Sequence, residues 1–150
     1  MTTFLAEVLS NMNYERFGNK FVVRLDAGDE ICESIKDVII KENIKAASVS
    51  GIGGAGELHI GVFNEKEQRY SKYDFVGTYE IASLVGNIGT IDGEPLLHLH
   101  ITAAGDDARV VGGHLLSGVI SLTGEVFIDV IDGEIKKIRD EKLGINVMDF

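Results

Sequence analysis

Hydrophobic residues recur along this chain in two rhythms. From Asp29 to about Asn43, apolar positions fall at Ile31, Ile35, Val38 and Ile39. That three- and four-residue spacing draws one stripe down a helix. Asp29 or Asp26 can cap its start, Glu30 and Glu33 occupy the first turn, and Lys41 lies near the end, each charge in the sense the helix dipole favours. Elsewhere apolar and polar residues alternate, or form short apolar blocks, between glycine, asparagine and aspartate breaks, which is the pattern of strands. The predicted strands are Phe4 to Leu9, Lys20 to Leu25, Ala46 to Ser50, Glu57 to Phe63, Tyr70 to Val76, Tyr79 to Ile88, Pro95 to Ala103, Arg109 to Gly112, Leu115 to Ile131 with a break, and Glu134 to Ile138.

With one principal helix (about 29–43) among so many strands, most connections must be hairpins, so the class is α+β with a mainly antiparallel sheet. Eighteen glycines against a single proline suit a strongly curved or closed sheet, in which bulges and close approaches need residues without side chains. The 150 residues read as one domain spanning 1–150, since no linker or low-complexity stretch divides them. A single cysteine, Cys32, excludes an internal disulfide and a cysteine-built zinc site. The longest stretch without a charged residue, Val110 to Gly124, holds a histidine and several glycines and is too short to span a bilayer. No Lys or Arg precedes Arg16 and no apolar core of signal type follows the start, so a cytoplasmic location is expected.

Charge narrows the choice of partners. Fourteen Lys and Arg against 24 Asp and Glu leave a net charge of −10, which repels a phosphate backbone unless the cations are clustered. The nearest approach to a cluster, Lys136, Lys137, Arg139 and Lys142, is interleaved with Glu134, Asp140 and Glu141 and reads as a solvated face. Direct nucleic-acid binding is therefore disfavoured. Gly51, Gly53 and Gly56 spell a G-x-G-x-x-G, but they lead into the alternating run Glu57 to Phe63. A dinucleotide fingerprint needs a helix there to receive the pyrophosphate, so the glycines read as a turn or bulge between strands.

The richest chemistry lies in Pro95 to Leu116. Along an extended strand His98 and His100 share a face while Leu97, Leu99 and Ile101 take the other. Their Cα atoms stand about 6.5 Å apart, a separation from which two imidazoles can tilt onto one ion at about 2.0–2.1 Å each. If Arg109 to Gly112 runs back beside this strand, His114 emerges on the same side, with Gly112 and Gly113 allowing close approach. Three imidazoles then converge, although a third ligand from a neighbouring subunit fits the spacing equally well.

These residues resemble the PPC (plants and prokaryotes conserved) domain. The likeness rests on Leu97-His98-Leu99-His100, Gly105-Asp106 and Arg109 to Leu115, supported by Arg24 to Glu30, Ser50 to Gly53 and Tyr79 to Ile88, in family order over about residues 18 to 130. The resemblance implies a compact α+β domain, assembly as a homotrimer, and zinc or another divalent transition metal on His98, His100 and His114. Plant members join the domain to an AT-hook and are DNA-binding regulators. This sequence has no such segment: its one proline, Pro95, follows Glu94 and no basic run surrounds it.

Other side chains are candidates for chemistry. Glu80, beside the apolar run Ile81 to Val85, could orient a ligand histidine or act as a base, or simply face water. Arg24 could meet a substrate anion or pair with Asp26, Asp29 or Glu80, and Arg109 reads most simply as a turn ion pair with Asp106 and Asp107, although the resemblance keeps it close to the histidines and so a candidate. Asn87 and Ser50 could line a pocket, and His59 reads as a surface or interface residue. Three functions compete: a trimeric metal domain with an open coordination position, for which metal-dependent hydrolysis or small-molecule binding is the natural chemistry; a protein-interaction and assembly module; and a DNA-binding regulator. No nucleophile elbow, phosphate loop or other signature names a substrate.

Overall fold

A computed structural model describes residues 13–150, so the expected strand Phe4 to Leu9 lies outside the described residues. The chain runs β1 (Asn13–Phe17), β2 (Lys20–Asp26), α1 (Ile31–Lys41), β3 (Ala47–Asn64), β4 (Arg69–Ile91), β5 (Glu94–Gly105), β6 (Val110–Val130), β7 (Lys137–Asp140) and β8 (Ile145–Met148). The first six strands form one sheet in the order β1-β2-β6-β3-β4-β5, and β5 pairs back onto β6. The ladder β6–β3–β4–β5 therefore returns to its starting strand. All these pairings are antiparallel, and β7 and β8 form a separate two-stranded hairpin.

Several expected strands are segments of longer ones. Ala46 to Ser50 and Glu57 to Phe63 fuse into β3, because the intervening glycines make bulges, with register shifts at Gly51/Gly53 and Ala55/Glu57, and not a turn. Likewise β4 absorbs two predicted strands and β6 absorbs the segments on either side of Gly113. β1 and β8 have no counterpart among the predicted strands.

The helix is shorter than the expected 29–43, and its cap is neither Asp29 nor Asp26. Glu30 is the N-cap: its Oε2 accepts from Glu33 N at 2.7 Å, and its Oε1 accepts from Gly118 N at 2.8 Å. Asp29 turns back instead, accepting from Asp26 N at 2.8 Å. A Glu reaches across to β6 where a shorter Asp would not, so one carboxylate both caps the helix and fastens it to the sheet. Ile31, Ile35, Val38 and Ile39 are fully buried with Leu58, Leu84, Leu99, Ile101, Ile120 and Ile128 in one core. No helix among the described residues is long and apolar enough to cross a membrane.

Candidate metal centre

Burial of Leu99 and Ile101 in the core fixes which way the histidines of β5 point. Side chains alternate along a strand, so His98 and His100 leave on the outer face, and a one-residue slip would force imidazoles into the hydrocarbon core. The third ring comes from β6, whose antiparallel register sets His114 directly opposite His100. Closure of β5 onto β6 is thus what assembles the cluster, and it does so within one chain. Close strand approach depends on glycine: a Cβ on Gly86 would collide with the His98 carbonyl, and one on Gly113 would lie 2.7 Å from Ile60 Cγ2 and 2.8 Å from the Gly61 carbonyl oxygen.

The Nε2 atoms of His98 and His100 stand 3.2 Å apart. Ring centroids are 5.0 Å apart for His98 and His100, 5.1 Å for His98 and His114, and 5.7 Å for His100 and His114. One ligand nitrogen from each ring lies within 4.8 Å of the others. Two nitrogens bound to a tetrahedral ion at about 2.0–2.1 Å would be roughly 3.3 Å apart, so His98 and His100 already hold that spacing. His114 Nδ1 is buried without a hydrogen-bond partner among the described residues, an uncommon state for an interior polar atom.

The surroundings disfavour protonation of two of the rings. Burial, then the positive ends of His114, Lys137 and His100, push the His98 pKa down to about 4. Burial and then His100 lower that of His114. Uncharged imidazoles keep the lone pairs that a metal requires. The residues present therefore fit a divalent ion of the imidazole-preferring kind.

Glu80, Arg24, Arg109 and His59 are not brought to the cluster, whereas Ser50 and Asn87 lie beside it. Glu80 is exposed on β4 opposite Gly54 and Ala104, further along the ladder from the His100 pairing at Val85. Arg24 is exposed on β2, its Nε donating to Asp26 Oδ1 at 3.0 Å. Arg109 Nε sits 3.4 Å from Asp107 Oδ2 in the turn, with the side chain 89% exposed. His59 is tied down away from the other histidines, Nδ1 at 2.6 Å from Asp74 Oδ1 and Nε2 at 2.7 Å from Glu57 Oε1. Ser50 lies in the cross-strand row of His100 and Val85, and Asn87 lies opposite His98.

One residue read as solvated belongs here. Lys137 is only 5% exposed, because the β7–β8 hairpin folds over the outer face. Thr90 N donates to Ile135 O at 2.8 Å just before the hairpin, and Gln68 Nε2 donates to Lys142 O at 2.8 Å within it, helping to fasten it to the ladder. Lys137 Nζ donates to Asn87 Oδ1. The sequence signal was slight: Ile135 and Lys137 alternate onto one face, but dense neighbouring charge masked it. Tyr70, whose ring lies 5.1 Å from that of His114, carried no signal at all.

The profile of the Plants and Prokaryotes Conserved domain matches residues 12–132. The chain belongs to that family. Three solved structures resemble this PPC chain. A protein from Bacteroides thetaiotaomicron, named as a candidate DNA-binding protein, is 33% identical with a TM-score of 0.90, covering 93% of this chain and 97% of its own. A protein from Archaeoglobus fulgidus, named as metal-containing, is 32% identical with a TM-score of 0.82, covering 91% and 96%. A PPC protein from Pyrococcus horikoshii is 28% identical with a TM-score of 0.80, covering 100% and 98%. A search of curated protein sequences finds no match.

Proposed function

We propose that this PPC domain binds one divalent metal, zinc by its ligand set, through His98, His100 and His114, and assembles as a homotrimer. The observation that carries the metal reading is the convergence of three imidazoles on one outer face, one of them with a buried nitrogen that has no hydrogen-bond partner among the described residues. The Archaeoglobus relative, named as metal-containing, supports it. Three protein ligands leave a tetrahedral ion one position for a small molecule or water, where zinc supplies Lewis acidity; small-molecule binding or hydrolysis is the chemistry this would serve. The chain's own part is to hold the three rings on the ladder and to disfavour protonation of His98 and His114.

Elemental analysis of tag-free protein tests this. Roughly one zinc per chain is expected, falling by more than half in His98→Ala, His100→Ala and His114→Ala. Zinc content unchanged in all three variants overturns the reading.

The trimer draws support from an exposed apolar band on the same outer face. Ile52, Leu122, Val85 and Phe127 are 55%, 68%, 49% and 46% exposed. Phe127, Ser50, Val85, His100 and His114 follow one another across the ladder, so an interface over this band would border the metal cluster. The Bacteroides relative's name favours a second reading, DNA binding. Against it stands the net charge of −10, and the two readings separate in a gel-shift titration at low salt: tight, salt-sensitive retardation supports DNA binding, and its absence up to high protein concentration removes it.

A further inference from the structure

Beside the histidine cluster lies a pocket of about 300 Å³ whose far wall is the C-terminal hairpin. His98 and His114 form one side, Leu96 and Leu97 contribute apolar surface, and Lys137 and Arg139 stand on the hairpin side. Two positions apart on β7, these cations bring side chains to the same cavity. Lys137 is the unusual one. The residue is only 5% exposed, yet the one hydrogen bond of its ammonium among the described residues is to the neutral Asn87 amide oxygen. No carboxylate lies within ion-pair distance of Lys137 or Arg139 among the described residues, in a chain where Asp and Glu outnumber Lys and Arg by 24 to 14. A buried charge without a counter-ion is costly, and here two cations face a cavity instead of the acids abundant elsewhere.

We infer that this pocket binds a small organic carboxylate, its carboxylate held by Lys137 and Arg139 and its short apolar body lying along Leu96 and Leu97 toward His98 and His114. The volume sits at the lower end of the ligand-pocket range of about 300–1,000 Å³, which suits a molecule of few heavy atoms. The apolar wall favours a carboxylate with a carbon body over inorganic phosphate, which would leave that wall uncovered. Arg offers a planar fork and Lys a point charge, so the two together can satisfy both carboxylate oxygens. The inference goes beyond metal binding: its anion contacts come from the hairpin, not from the histidines, and Lys137 lies outside the residues 12–132 matched by the family profile.

Titration of isotopically labelled protein with lactate, followed by amide chemical shifts, tests it on both chelator-treated and zinc-loaded protein. Lactate is expected to shift β7, β8 and Tyr70 saturably in both forms. Lactamide, its neutral amide, and inorganic phosphate should bind at least about tenfold more weakly. Arg139→Gln, on an exposed side chain that should not disturb folding, and Lys137→Met should each weaken lactate by about tenfold or more, with Lys36→Gln on the helix as the unchanged control. Phosphate binding as tightly as lactate, shifts centred elsewhere, no saturable shift, or lactate binding that survives both variants and requires zinc would each overturn the inference. Lactate binding to a protein that proves unable to hold zinc would uphold it while removing the metal reading.

Discussion

Among single residues, the histidines differ most in what their surroundings do to them. His59 is raised above its usual pKa by hydrogen bonds to Asp74 and then Glu57, since only the doubly protonated ring can donate to both carboxylates. His98 is pushed down to about 4 and His114 is lowered. In metal-free protein, ring-proton NMR on raising the pH should show His98 losing its proton near 4, well before His59, which keeps its proton to above 6.5. The stability consequences have opposite signs. Below pH 6.5 the unfolded chain takes up a proton that folded His98 resists, so its contribution is complete above that value and is lost as pH falls toward 4. The His59 contribution is complete below 6.5 and is lost as pH rises through its elevated folded value. Urea midpoints of the metal-free protein should therefore drop between pH 6.5 and 4, and the drop should be shallower in His98→Gln. This scale was also the most legible in the sequence. A two-residue spacing on a strand dictates a shared face, so His98 and His100 could be paired without coordinates; Lys137 could not, because its burial comes from where the hairpin lands and not from its own neighbours.

At the level of elements, the helix stripe Ile31, Ile35, Val38 and Ile39 was readable because 3.6-residue periodicity is a local property. Its cap was not, since Glu30 was chosen by a partner 88 residues away, Gly118. Glu30→Ala should lower stability by about 2 kcal/mol, combining a lost cap with an unpaired amide on β6, while Glu33→Ala, exposed in the first turn, should cost about 0.5 kcal/mol or less. Chemical denaturation resolves the two. Strand continuity across Gly51 to Gly56 was likewise hidden, because a bulge and a turn share the same residues and only the partner strand decides between them. Gly86→Ala offers a sharper test of how β4 and β5 support the cluster: the added methyl meets the His98 carbonyl, so a loss of about 2 kcal/mol or more is expected, together with reduced zinc content in elemental analysis.

For the whole molecule, the antiparallel α+β class followed from counting elements and the β5–β6 hairpin from its polar turn, but the closure of the ladder did not, since it depends on β3 pairing with β6 far along the chain. Assembly belongs to this scale too. Light scattering coupled to size exclusion should give three times the mass of one chain, and Leu122→Asp with Phe127→Asp should shift the species toward monomer while leaving each chain folded by circular dichroism; a wild-type monomer would count against the proposed trimer.

The hairpin that roofs the cavity is joined to the ladder at Thr90 and Gln68 and contributes none of the three imidazoles. The proposed metal ligands and the proposed anion contacts therefore come from separate stretches of polypeptide. Exchanging the β7–β8 hairpin would then alter the proposed anion contacts while leaving His98, His100 and His114 in place, an arrangement that lends itself to diversification one hairpin at a time.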